Sequence, residues 1–101
     1  MSIENTLNTR AIVHGNYVDA ASFKDLVLQE CINCKTGNWE KLGPVGRQTV
    51  HMIIEKLGRI MYGDPLFSDH WYDIAGYATL MDNYLARPDQ TEIPLNYEEG
   101  V

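Results

Sequence analysis

Two pairs of charged residues in the second half of the sequence have spacings that could support binding chemistry. Lys56 and Arg59 are three residues apart, and Asp69 and Asp73 are four residues apart. Residues at these spacings lie on one face of a helix. The glycine, aspartate and proline at positions 63–65 predict a tight turn between the two segments, because proline does not continue a helix. The sequence therefore predicts a helical hairpin in which two cations face two carboxylates.

This charged hairpin has three interpretations, and the sequence leaves all three open. In the structural one, Arg59 binds Asp73, and Asp69 stands near the positive end of its helix dipole. In the second, Lys56 and Arg59 hold phosphates while Tyr77 stacks on a base, as aromatic rings do in nucleotide sites. In the third, Asp69 and Asp73 bind Mg²⁺, an ion that prefers oxygen ligands and keeps part of its water shell.

The cysteines and histidines predict less chemistry. Cys31 and Cys34 have the spacing of half a zinc site, but zinc takes four ligands and the sequence has no second such pair. We expect two reduced thiols, buried or half-buried. His51 and His70 lie near carboxylates in sequence, yet no serine or cysteine nucleophile pairs with them in a recognisable motif. We expect them to be helix-surface histidines without a catalytic role.

Charge and length limit the class of protein. The chain has 101 residues and a formal charge of −6, enough for one domain with a modest core. After Arg87 it has four acidic and no basic residues, which leaves −2 for residues 1–87. No basic face for nucleic acid is expected, and no apolar run approaches the roughly 20 residues that cross a bilayer. The N-terminal residues show no secretory signal, so we expect a cytoplasmic protein that binds neither nucleic acid nor membrane.

Apolar residues recur at helical spacing along most of the chain, and no segment alternates like a strand. This pattern predicts an all-α fold, a compact bundle of about four helices over residues 1–87 with an extended acidic tail at 88–101. The predicted segments are a short helix or arm before a turn at residues 14–16, a helix that begins near Asp19 or Ser22 and ends before 36, a helix from Pro44 to about Tyr62, and a helix capped by Ser68 that ends before Pro88.

Three further expectations concern packing. Gly63 should end its helix in the left-handed conformation, and residues 39–43 should form a connector that folds back on the core. Gly58 and Gly76 are predicted to meet where two helices cross. The predicted core face of the last helix comprises Trp71, Ile74, Ala78, Met81 and Leu85.

The hairpin segment resembles a family of small phage proteins. Their shared pattern is a helix ending in K-x-x-R, a short glycine-containing turn and then D-x-x-x-D-x-x-G-Y. This sequence has Lys56, Arg59, the turn at 63–65, Asp69, Asp73 and the pair Gly76-Tyr77 at those positions. The phage family in turn looks distantly like the all-α nucleotide pyrophosphohydrolases of the MazG and dUTPase type. Those enzymes bind magnesium through an E-x-x-E pair and a later E-x-x-D pair, whereas this sequence has no E-x-x-E pair.

The resemblance implies a phage protein that binds a nucleotide or a related small phosphorylated ligand in the host cytoplasm. Such a protein would hydrolyse the ligand, as MazG-type enzymes do, or sequester it as a counter-defence sponge, and the missing motif favours sequestration. A homo-oligomer is expected, since a core of this length is limited. The alternative is a non-enzymatic inhibitor that contacts a host defence or replication protein directly. The predicted ligand site comprises Tyr17, Lys56, Arg59, Asp69, Asp73 and Tyr77, with Mg²⁺ at Asp69 and Asp73.

Overall fold

The computed structural model describes residues 2–87, which contain five α-helices and no strand. The predicted all-α fold is confirmed, and the predicted acidic tail at 88–101 lies outside the described residues. The helices are α1 (Ile3–His14), α2 (Tyr17–Ile32), α3 (Asn38–Lys41), α4 (Gly43–Tyr62) and α5 (Ser68–Leu85).

Helix α4 is the centre of the fold. Helices α2 and α5 both pack along it, and α1 and α3 contact it over shorter stretches. Ile54 and Ile60 of α4 are the only buried hydrophobic side chains among residues 2–87. The prediction of a helix beginning near Pro44 and ending at Tyr62 is confirmed, with Pro44 in the first turn, where its missing N–H is tolerated. The core is small, and it is built around one helix.

Helix α2 begins earlier than predicted because Asn16 caps it. The Asn16 side-chain oxygen accepts the backbone N–H groups of Val18 at 2.9 Å and Asp19 at 3.1 Å, which satisfies two otherwise unpaired donors. The predicted caps were wrong. Asp19 lies inside the first turn, and the Ser22 hydroxyl donates to the Val18 carbonyl at 2.8 Å.

The predicted connector at residues 39–43 is partly helical, since α3 forms a single turn there. Trp39 folds back on α4 as expected, and its ring lies 5.8 Å from that of His51. Leu42 remains 36% exposed. The connector therefore contacts α4 through the Trp39 ring, and Arg47 of α4 donates to the carbonyls of Trp39 and Glu40.

The turn between α4 and α5 needs glycine for close packing rather than for a left-handed backbone. Gly63 has φ −109°, so the predicted left-handed conformation was wrong. A Cβ at Gly63 would collide with the Val13 carbonyl oxygen. That oxygen accepts the Asp64 N–H at 2.9 Å, which ties the turn to the end of α1. Ser68 is the first residue of α5 rather than its predicted cap, and no side chain caps the helix.

The predicted crossing of Gly58 and Gly76 was wrong. A Cβ at Gly58 would lie 3.5 Å from the Ala20 carbonyl oxygen and from the Phe23 ring, so Gly58 permits close approach of α2. A Cβ at Gly76 would meet nothing within 4 Å. Gly76 therefore lies on the outer surface of α5, away from α4.

The predicted core face of α5 was partly wrong as well. Ile74 and Met81 are half-buried, whereas Ala78 is exposed, as are Trp71 at 53% and Leu85 at 52%. The Trp71 indole N–H donates to the Pro65 carbonyl at 2.9 Å, which holds its ring over the turn. Helix α5 thus buries a narrower stripe than its apolar content predicts.

Candidate ligand site

The first charged contact joins α4 to α5. Lys56 Nζ lies 3.0 Å from Asp73 Oδ2, and the exposed fractions of the two side chains are 10% and 41%. The structural interpretation assigned Asp73 to Arg59, and this detail was wrong, because Lys56 is the cation that reaches α5. A largely buried ammonium needs such a counter-charge. This contact therefore has the geometry of a helix-to-helix lock.

A second set of charges joins α4 to α2. The Lys24 ammonium donates to Glu55 Oε1 at 3.1 Å, and Arg59 Nε lies 3.7 Å from the other oxygen of the same carboxylate. All three side chains are partly exposed, at 27%, 34% and 26% for Lys24, Glu55 and Arg59. Two cations thus share one carboxylate at the edge of the α2–α4 contact.

These charges border a surface concavity, which we call the α2–α4 concavity. It has a volume of about 340 Å³, and Tyr17, Lys24, Asp25 and Glu55 line it together with three small or apolar residues. Tyr17 at its rim is 86% exposed. Arg59 adjoins the concavity through its contact with Glu55. One aromatic ring, one cation and two carboxylates therefore line one open volume, and a second cation lies beside it.

The six predicted site residues are not gathered in one place. Tyr17 lines the α2–α4 concavity and Arg59 adjoins it through Glu55, while Asp73 and Tyr77 line a separate groove of about 500 Å³ along α5, the α5 groove. Lys56 lies between α4 and α5, bonded to Asp73. Asp69 is exposed in the first turn of α5.

Sequence reasoning missed Lys24 and Asp25. Helix α2 was interpreted from its apolar spacing and from its candidate capping residues, and the Lys24–Glu55 contact spans 31 residues. No local spacing reveals a contact of that range. The one available signal was the adjacent pair of opposite charges in the middle of the helix.

The predicted magnesium site does not fit the side chains present. The Lys56 ammonium already occupies the carboxylate of Asp73 at 3.0 Å, so a divalent cation there would stand beside a fixed positive charge. Over residues 2–87, no group of three or more histidine, cysteine, aspartate or glutamate side chains is placed to hold a metal ion. No step of the proposed function is therefore derived through magnesium.

Two histidines pack together where α1 meets α5. His70 is 1% exposed and its Nε2 lies 3.0 Å from the Val13 carbonyl oxygen, which fixes a proton on that nitrogen. The expectation of a helix-surface His70 was therefore wrong. The His14 ring lies 5.3 Å from it, and the buried Nδ1 of His14 has no hydrogen-bond partner within residues 2–87.

The surroundings of His14 disfavour its protonation. Burial lowers the pKa of His14 first, and the positive charge of Arg59 lowers it further, followed by the charges of His70, Arg10 and Lys56. A neutral imidazole in this position serves packing between α1 and α5. No nucleophile pairs with it in the described part of the chain, so we assign it a structural role.

The two cysteines are free thiols. Cys31 is half-buried, as expected, whereas Cys34 is exposed and donates to the Glu30 carbonyl at 3.3 Å. They lie at and just beyond the end of α2, outside the α2–α4 concavity. The positions of the two cysteines therefore do not support a role in ligand binding.

Within residues 2–87, every helix is too short or too polar to cross a membrane. Comparison of the chain with protein-family models, with curated proteins and with solved structures gives no match. The resemblance to small phage proteins and to MazG-type enzymes stays a prediction, and function has to be argued from the geometry of the charged helices.

Proposed function

We propose that this protein binds a nucleotide or a related small phosphorylated ligand in the α2–α4 concavity, and that it sequesters the ligand without hydrolysing it. The observation that carries the proposal is the shared contact of Lys24 and Arg59 with Glu55, beside the exposed ring of Tyr17. Sequestration in the host cytoplasm by a phage protein is the setting that the sequence resemblance implies.

The cations would hold the phosphate. Arg59 contacts Glu55 at 3.7 Å through Nε alone, a distance too long for a strong hydrogen bond. A guanidinium has five N–H donors in a planar fork that matches phosphate oxygens. A phosphate would therefore bind Arg59 and leave Glu55 to Lys24, at the closer distance of 3.1 Å.

The rim and floor of the α2–α4 concavity suit a nucleoside. Its volume of about 340 Å³ lies at the lower end of the roughly 300–1,000 Å³ typical of small-molecule sites. Tyr17 offers a free aromatic face, and base stacking on such a ring contributes about 1–3 kcal/mol. Asp25 lines the same volume and offers oxygens that accept hydrogen bonds from ribose hydroxyls.

Binding without hydrolysis is supported by the positions of the acidic residues. The aspartate pair that was predicted to bind magnesium lies on α5, where Lys56 binds Asp73. Asp73 is not among the residues that line the α2–α4 concavity. Sequestration needs neither a general base nor a metal.

A thermal-shift screen of the full chain tests this proposal. The panel comprises nucleoside mono-, di- and triphosphates and cyclic and ADP-ribose-type nucleotides, each with and without magnesium. A ligand at 100 times its dissociation constant adds about 2.7 kcal/mol to the free energy of unfolding. That corresponds to a rise of roughly 10 °C or more in Tm for a domain of this size.

Matched variants locate the ligand. Tyr17→Ala, Lys24→Gln and Arg59→Gln should reduce the shift, whereas Lys35→Gln, which removes an exposed lysine outside the α2–α4 concavity, should not. The proposal would be refuted if no ligand of the panel raised the Tm. A shift that survives all three concavity variants would place the ligand elsewhere and refute this site. Turnover of the ligand would show hydrolysis instead of sequestration.

Direct contact with a host defence or replication protein is the second candidate. It is favoured by the exposure of large hydrophobic side chains: among residues 2–87, fifteen are exposed and two are buried. Leu66 lies in the turn before α5 and is 86% exposed, so a substitution there tests this candidate directly. Leu66→Ser should weaken capture of a host protein without changing the nucleotide panel, and equal capture by both forms would count against contact through this turn.

A further inference from the structure

The outer surface of α5 has an open groove that is lined only by residues of α5 itself. Tyr72 is 77% exposed and Leu80 is 41% exposed. Between them lies Gly76, where a Cβ would meet nothing within 4 Å. Together with Ala75 and Thr79, these residues line the α5 groove of about 500 Å³.

We propose that α5 of a second copy of this chain covers the α5 groove, in an antiparallel pairing whose two-fold axis passes at Gly76. Glycine is among the poorest helix formers, and within one copy no neighbour explains its presence at this position. A second helix needs a small residue at the point of closest approach. Gly76 supplies that residue on both copies.

The charges of α5 favour an antiparallel direction for a second copy. Asp69 and Asp73 lie before Gly76, and the uncharged Thr79 and Asn83 lie after it; Asp73 also binds Lys56 of its own copy. In a two-fold antiparallel pair centred on Gly76, residues equally far before and after the glycine stand at the same level. Asp69 then meets Asn83 of the second copy, and Asp73 meets Thr79 of the second copy. A parallel pair would instead set aspartate against aspartate.

The apolar residues follow the same symmetry. Tyr72 and Leu80 lie four residues before and four residues after Gly76, so Tyr72 of each copy stands at the level of Leu80 of the other. A two-fold interface uses the same patch on both subunits, and in this register the patch is complementary to itself in size and sets no carboxylate against another carboxylate. It also adds apolar burial to a fold whose described core has two buried hydrophobic side chains.

Oligomeric state and matched variants test the pairing. The full chain should be dimeric by light scattering after size exclusion, over a range of about 1 to 100 µM expected for a modest helical interface. Gly76→Leu and Leu80→Glu should give monomers with unchanged helical circular dichroism. Asp82→Leu, an exposed position on another side of α5, should remain dimeric. A monomeric native chain throughout this range would overturn the proposal.

A cysteine scan locates the two-fold axis even where a variant binds weakly. In a Cys31→Ser, Cys34→Ser background, Gly76→Cys should form a disulfide-linked dimer under mild oxidation. Only a position close to the axis brings two equivalent Cα atoms within the roughly 4.4–6.8 Å that a disulfide spans. Asp82→Cys serves as the control and should not cross-link. Cross-linking at position 82 and not at 76, or a dimer that persists in Gly76→Leu, would assign the interface to another face and overturn the pairing.

Discussion

Replacing Asp73 with asparagine tests the lock between α4 and α5, because it leaves the Lys56 ammonium without its counter-charge. Lys56 is 10% exposed and Asp73 is 41% exposed, with 3.0 Å between their charged atoms. Breaking a fully buried pair costs about 3–5 kcal/mol, whereas an exposed pair contributes about 0.2–1 kcal/mol. This pair lies between those limits, so we expect Asp73→Asn to lower the free energy of unfolding by about 2 kcal/mol.

Lys56→Met should be the milder substitution. It removes the charge that needs compensation and keeps an unbranched apolar side chain in the buried space, so we expect a loss of about 1 kcal/mol. The double variant Lys56→Met, Asp73→Asn should then be about as stable as Lys56→Met alone. If Asp73 serves to compensate the buried Lys56 ammonium, Asp73→Asn should therefore be more destabilising than Lys56→Met. A carboxylate kept in place for ligand binding would not give this difference.

Urea unfolding followed by circular dichroism at pH 7 measures these losses, in a Gly76→Leu background so that the proposed self-association does not contribute. Asp69→Asn, at the exposed carboxylate one turn earlier, is the control and should change stability by less than about 0.5 kcal/mol. The reasoning is refuted if Asp73→Asn is no more harmful than Asp69→Asn. It is refuted equally if Lys56→Met is the more destabilising member of the pair.

Two further predictions concern the junction where α1 ends. Burial and the charge of Arg59 lower the pKa of His14 from 6.5. The unfolded chain therefore binds more protons at this residue than the folded chain below pH 6.5, and the free energy of unfolding should fall as the pH drops from 6.5 towards the lowered value. His14→Gln should flatten that decline in urea unfolding, and an unchanged decline would contradict the burial argument. Gly15 and Gly37 both have positive φ, at 91° and 72°, but a Cβ would meet the Tyr62 backbone at 2.7 Å from Gly15 and nothing within 4 Å from Gly37. Gly37→Ala should therefore cost about 1–2 kcal/mol and Gly15→Ala about 3 kcal/mol or more, and equal losses would contradict the packing argument.

The fold was predictable where residues that are close in the sequence determine it. Pro44 and the glycine–proline turn at 63–65 mark the two ends of α4, and the apolar residues between them recur at helical spacing. The start of α2 was less predictable because Asn16, Asp19 and Ser22 are all good capping residues. The choice of Asn16 rests on its reach to two backbone N–H groups, which spacing alone does not specify.

The pairing of charges was not predictable, for a geometric reason. Lys56 and Arg59 are three residues apart, so they point about 60° apart around α4. One then reaches α5 and the other lies beside Glu55 at the contact with α2. Which of them reaches α5 depends on how the helices cross. The packing partners of Gly58 and Gly76 were not predictable either. A glycine shows that another group can approach the helix closely at that position, but it does not show which group does.

The arrangement around α4 makes the two proposals independent of each other. Glu55 and Lys56 are neighbours in sequence, yet Glu55 binds Lys24 of α2 and Lys56 binds Asp73 of α5, because successive residues point about 100° apart around a helix. A ligand that binds Arg59 contacts the side of α4 that faces α2, whereas a second copy that packs at Gly76 covers the outer face of α5. Gly76→Leu should therefore abolish dimers and preserve the nucleotide-induced thermal shift, and Lys24→Gln should do the reverse. If either variant abolished both properties, the ligand and the second copy would have to share one surface, and the separation of the α2–α4 concavity from the α5 groove would be wrong.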